Sequence, residues 1–156
     1  MRWLLNHGTD ANAQQDNGWS SLHLAVANGL LEVARVLLEH KADINARDYR
    51  GAVALHLAIS LNNHRDWTNL LRLLLDHGAD INARDYKGST PLHYLSVGRN
   101  HPFPPTGKGF VEVTRLLLEH GASIGAENNK GETPFLVALE AEHHEMVEFL
   151  WGLGTN

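Results

Sequence analysis

Cysteine is absent from this 156-residue chain, which removes disulfides, thiolate nucleophiles and cysteine-ligated zinc without indicating a redox compartment. Long apolar runs are missing too. None approaches the ~20 residues that a helix needs to cross a bilayer. The opening Met1-Arg2-Trp3-Leu4-Leu5-Asn6-His7-Gly8 breaks after two leucines, too early for the apolar segment of a secretory signal. Excess positive charge is also lacking: 13 lysines and arginines stand against 18 acidic residues, a formal net charge of −5. Nucleic acid and anionic lipid both reward a basic surface, so the expected partners include no nucleic acid and no membrane. The expected location is intracellular, cytoplasmic or nuclear. What is present is the composition of an ordinary globular protein, 43% hydrophobic and 20% charged, in a chain long enough to bury a core.

The chain repeats itself. Glu39-His40-Lys41-Ala42-Asp43-Ile44 returns as Asp76-His77-Gly78-Ala79-Asp80-Ile81 and as Glu119-His120-Gly121-Ala122-Ser123-Ile124, with a weaker copy at Asn6-His7-Gly8-Thr9-Asp10-Ala11. Arg47-Asp48-Tyr49-Arg50-Gly51 matches Arg84-Asp85-Tyr86-Lys87-Gly88. A third phrase occurs four times, as Ser20-Ser21-Leu22-His23, Val53-Ala54-Leu55-His56, Thr90-Pro91-Leu92-His93 and Thr133-Pro134-Phe135-Leu136. The order and content of these phrases resemble the ankyrin repeat, whose period is about 33 residues and whose signature includes Thr-Pro-Leu-His. On that resemblance the chain is one domain, residues 1–156, divided into a half repeat at 1–14 and repeats at 15–47, 48–84, 85–127 and 128–156. The second repeat is about four residues longer than the family period and the third about ten.

The expected fold is an all-α repeat solenoid of stacked helix-turn-helix units with short hairpin or loop fingers. Thr90, Thr133 and Ser20 are fitted to cap the first helix of their repeats. Pro91 and Pro134 suit the first turn, where a missing N–H costs nothing. Val53 and Ala54 break this pattern, so the first helix of the second repeat should start less firmly, by about 1 kcal/mol. The second helices carry one apolar stripe each: Val33, Val36, Leu37 and Leu38, then Leu70, Leu73, Leu74 and Leu75, then Val113, Leu116, Leu117 and Leu118. Their 3–4 residue spacing defines a helical face. A stripe of that size cannot hold a helix pair alone, so neighbours must share a core. Gly8, Gly78 and Gly121 follow these helices, where a left-handed residue ends the turn, and Lys41 stands in that slot in the first repeat.

Eleven histidines invite a metal or catalytic reading, yet repetition absorbs most of them. The resemblance places His23, His56 and His93 at repeat junctions, bonded to backbone, and His143 before a second helix. His7, His40, His77 and His120 share a helix-end position, where a cation suits the dipole. His64, His101 and His144 are left over. His144-Glu145-Met146-Val147-Glu148 has glutamate where a zinc protease needs its second histidine. His64-Arg65-Asp66 lacks the rest of a kinase site, and Ser20 and Ser21 form no nucleophile elbow. Gly107-Lys108-Gly109 lacks the spacing of a phosphate-binding loop. No catalytic residue, metal or cofactor is expected. The insertion near Arg99 to Lys108 contains His101-Pro102-Phe103-Pro104-Pro105. It reads as a stiffened loop, as a device that reshapes a binding groove, or, through Arg99, Pro102 and Pro105, as a proline-rich ligand.

The resemblance implies a non-catalytic adaptor or scaffold module that grips another protein through finger tips and a concave face. Carried over residue by residue, the tips present Trp19, Arg47, Tyr49, Arg50, Arg84, Tyr86, Lys87, Asn129 and Lys130, and the first-helix ends add Asn28, Leu61, Val97 and Glu140. Tryptophan, tyrosine and arginine dominate interface energetics. This basic, aromatic set on an acidic chain anticipates an acidic or polar partner segment. The alternative is an enzyme or small-molecule binder whose inserted loops near His64 and His101 close a pocket, with Asp66 or Arg99 assisting. Apolar residues at both ends, Trp3, Leu4 and Leu5 and then Phe149, Leu150, Trp151 and Leu153, differ from the polar outer faces of terminal caps. They raise two further expectations, a longer array or end-to-end self-association.

Overall fold

The computed structural model describes residues 10–60, 67–97 and 108–154. Eight helices are seen among them: α1 Ser21–Ala27, α2 Leu31–Glu39, α3 Ala54–Ser60, α4 Trp67–Asp76, α5 Pro91–Val97, α6 Lys108–Glu119, α7 Pro134–Glu140 and α8 His144–Gly154. They belong to two compact units, one ending at Asp80 and one starting at Ile81. In the first unit α1 packs on α2 and α3 on α4, while α3 lies against α1 and α4 against α2. In the second, α5 packs on α6 and α7 on α8, and α7 lies against α5. The chain is an all-α repeat protein, as the periodicity predicts. The described fingers are turns rather than strands, with an isolated bridge between Gln14 and Ser20.

The apolar stripes are the core. Leu37, Leu74 and Leu117 occupy the same slot in three successive second helices, and each is fully buried. Leu22, Leu55 and Leu92 do the same in the first helices. The small residues Ala25, Ala58 and Ala138 are buried as well, which lets paired helices approach closely. The Trp67 indole N–H donates to the Ala58 carbonyl and pins α4 to α3.

Helix ends follow the capping logic. The Ser20 side chain accepts from the His23 N–H, and the His23 ring reaches back to the Ser20 N–H. Thr133 caps α7 through the Leu136 N–H, with Pro134 in the first turn. At Val53 the hydroxyl is missing, and only the backbone half of the arrangement remains, Val53 N–H donating to His56 Nδ1 at 3.2 Å. At the C-terminal ends, Gly78 and Gly121 take φ of 83° and 84°, and Lys41 is forced to 62°. His40, His77 and His120 each bond through Nδ1, at 2.8 Å, to the carbonyl four residues earlier. Each of these carbonyls also accepts the backbone N–H of the same histidine, so the ring adds a second bond at the helix end.

Candidate finger-tip interface

Each finger is one tight turn. In the second repeat the Asp48 N–H donates to Ala52 O and the Gly51 N–H to Asp48 O, both at 2.9 Å. The Asp48 carboxylate closes the loop from inside, accepting from the Arg50 and Ala52 N–H groups at 2.8 and 2.9 Å. Asp85 repeats this with Lys87 and Ser89, and its second oxygen accepts from the Tyr94 hydroxyl at 2.9 Å. In the fourth repeat Asn128 takes the same role toward Lys130 and Glu132. Its Nδ2 also donates to the Glu132 carboxylate at 2.7 Å. This bond, with a smaller contribution from Lys130, holds the half-buried Glu132 carboxyl below the usual carboxylate range.

Neighbouring fingers are tied within each unit. In the first, the Tyr49 N–H donates to Asn17 O at 3.3 Å, and a β-carbon on Gly18 would sit 2.7 Å from the Tyr49 ring. In the second, the Asn129 N–H donates to Lys87 O at 2.9 Å and its side chain to Tyr86 O at 2.9 Å. A second set of ties was not anticipated from sequence. Asn12 accepts the Asp43 N–H and Asn45 the Asp80 N–H in the first unit, and Asn82 accepts the Ser123 N–H in the second. Their recurrence in one repeat slot was the available signal, and Gly125 in the fourth copy hides it.

On this rigid base the expected residues divide by role. Tyr49 and Tyr86 are 69% and 68% exposed, and Arg50 and Lys87 beside them are exposed. Arg47 is exposed, but its guanidinium donates to Gly51 O at 2.9 Å, holding its own finger. The Arg84 guanidinium lies against the Gly88 position, and Asn129 meets the same glycine. Lys130 pairs with Glu132 at 3.4 Å. Trp19 is half-buried and stacks on His23, with ring centroids 6.5 Å apart. Asn28 is exposed at the end of α1 and bonds back to Leu24 O, Val97 is half-buried, and Glu140 is exposed. Leu61 lies outside the described residues, as do His64, Asp66, Arg99 and His101, on which the alternative reading depends.

Repetition at this level of bonding matches what known families show. Models described as ankyrin repeats match residues 1–48, 39–95 and 108–150. The chain belongs to the ankyrin-repeat family. No curated protein matches it. Ankyrin repeats are generally protein–protein interaction modules, and typically non-catalytic ones. The junction histidines follow the ankyrin pattern: His23 Nε2 meets Ala52 O at 3.3 Å and His93 Nε2 meets Glu132 O at 2.9 Å. His143 bonds to Ser96 O at 3.3 Å and packs edge-on against Phe110. Among the described residues no cluster of three or more histidine, aspartate or glutamate side chains is placed to hold a metal ion. No helix among them is long and apolar enough to cross a membrane. An open groove of about 440 Å³ lies between α6 and α8, lined by Val111, Glu145, Glu148 and Phe149.

Proposed function

We propose that this ankyrin-repeat protein binds an acidic or polar segment of another protein through its finger tips, acting as an adaptor or scaffold. The observation that carries the reading is the exposure of Tyr49 and Tyr86 on turns closed by backbone and aspartate hydrogen bonds. Large rings held out from fixed turns lose little ordering entropy on binding. In each unit a cation follows the ring, Arg50 after Tyr49 and Lys87 after Tyr86, which favours a negatively charged partner and a fast, salt-sensitive encounter. Within each unit, Trp19 and Arg47, then Arg84, Asn129 and Lys130, border these anchors or fix the turns that carry them, and Asn28, Val97 and Glu140 stand at the ends of their first helices.

The test is a partner recovered by affinity capture, measured against the wild type, against Tyr49→Ala with Tyr86→Ala, and against Arg50→Glu with Lys87→Glu. Both double variants are expected to fold and to weaken binding at least about tenfold. The reading fails if the tyrosine pair leaves affinity within about threefold while circular dichroism stays native.

A further inference from the structure

The last helix pair carries an apolar face that the other repeats keep covered. Val26 in α1, Ser96 in α5 and Leu139 in α7 share one repeat position. Val26 is 1% exposed and Ser96 fully buried, with α3 lying against α1 and α7 against α5. Leu139 is 54% exposed. Leu136, in the slot of the buried His23 and His93, is 42% exposed, and Trp151 is 65% exposed. Trp151 meets Phe135 with ring centroids 6.1 Å apart, which joins the apolar surface of α7 to that of α8. This face has a uniform electrostatic frame. Residues 134–154 contain Glu140, Glu142, Glu145 and Glu148 and neither lysine nor arginine, and all four glutamates are exposed. Glu140 is one helical turn from Leu136 and Glu148 one turn from Trp151, spacings that make them surface neighbours.

We propose that this face docks a basic amphipathic helix of a partner protein, one that sets apolar side chains on Leu136, Leu139 and Trp151 and lysines or arginines opposite Glu140 and Glu148. The helical form follows from what lies against the same position within each unit, α3 on α1 and α7 on α5. The basic character follows from charge complementarity. A second copy is a poorer occupant, because two-fold docking places the same patch on itself. Glu140 and Glu148 of one molecule would then face those of the other, and like-charge juxtaposition suppresses association. This surface shares Glu140 with the one proposed above, otherwise uses residues away from the finger tips, and recruits a ligand of the opposite charge.

The probe is an uncapped helical peptide of about 18 leucines and lysines with leucine at i, i+3, i+4 and i+7, titrated against the full chain by fluorescence anisotropy. Its controls are a scrambled peptide of the same composition and a leucine–glutamate version. The expected result is saturable one-to-one binding of the amphipathic basic peptide, at least about tenfold tighter than either control. Leu139→Lys with Trp151→Lys should abolish that preference, whereas Tyr49→Ala with Tyr86→Ala should leave it intact. Equal binding of the scrambled peptide, or retention in the Leu139→Lys, Trp151→Lys protein, overturns the proposal. So does sedimentation showing a dimer that Leu139→Lys dissociates, since the occupant is then a second copy. Loss of peptide binding in the tip variant alone would assign the effect to the fingers instead.

Discussion

The Nε2 of His93 reaches the backbone carbonyl of Glu132 at 2.9 Å, across 39 residues of sequence. At the same time His93 Nδ1 accepts from the N–H and hydroxyl of Thr90, at 3.1 and 2.8 Å. The backbone N–H can only donate, so Nδ1 carries no proton and Nε2 supplies the hydrogen to Glu132. One neutral ring thus joins the start of α5 to the finger of the next repeat, and His23 does the same between Ser20 and Ala52.

Protonating these rings would set an N–H against an N–H, which gives stability a definite pH dependence. Burial, the largest influence, lowers the pKa of His23, His93 and His143, partly opposed in each by its backbone hydrogen bond. The unfolded chain takes up protons near the ordinary histidine value of about 6.5, whereas the folded chain resists until lower pH. The unfolded state therefore binds more protons in that window, and stability falls as pH drops from about 7 toward 5. Urea midpoints at a series of pH values check this. A midpoint that is flat or rises on acidification across that window contradicts the neutral-ring assignment.

Lys41 occupies left-handed backbone, φ 62°, where Gly78 and Gly121 sit in the equivalent turns. An L-residue there costs about 1–2 kcal/mol, partly offset by the greater unfolded freedom of glycine. Its side chain is exposed, so little packing is lost on removal. Lys41→Gly is expected to stabilise the protein by about 0.5–1 kcal/mol, read as a higher urea midpoint at unchanged slope.

Gly88 and Gly131 share a φ of 75° but differ in surroundings. A β-carbon on Gly88 would fall 2.8 Å from the Asn129 backbone nitrogen and 2.6 Å from the Arg84 guanidinium, whereas one on Gly131 meets nothing within 4 Å. Both alanine variants should be destabilised by the backbone strain, about 1 kcal/mol. Gly88→Ala should lose about 1–3 kcal/mol more, because the next finger must move. Equal losses in paired thermal melts would show that the close approach of the fingers carries no energetic weight.

Val53→Thr tests the missing cap. The residue is 1% exposed, threonine nearly matches valine in shape, and a hydroxyl there would find His56 Nδ1 as Ser20 and Thr90 find theirs at 2.8 Å. The expected gain is about 1 kcal/mol. An unchanged or lower urea midpoint would mean that burying the hydroxyl costs as much as its bond returns.

Much of the architecture was legible in the chain because repetition makes each local signal appear several times. Leu37, Leu74 and Leu117 could be placed in the core from spacing alone, as could the caps at Ser20 and Thr133, since helix periodicity and capping are properties of short segments. The helix-end role of His40, His77 and His120 was legible as a position, but their carbonyl bonds were not. Exposure of Tyr49 and Tyr86 was anticipated from their place in the fingers.

Only the tertiary structure separated side chains that share a finger. Arg47 is exposed but its guanidinium donates to Gly51 O of its own finger, and Lys130 is paired with Glu132. Tyr86, by contrast, keeps its ring in solvent while its carbonyl receives Asn129. The Asn12, Asn45 and Asn82 ties, and the exposure of Leu139 where Val26 and Ser96 are buried, likewise emerged only from the fold. The physical reason is range. Periodicity, capping and turn chemistry act over a few residues and are written in sequence. Which donor meets which carbonyl 30 to 40 residues away, and which apolar position is left uncovered, depends on how one repeat is set against the next.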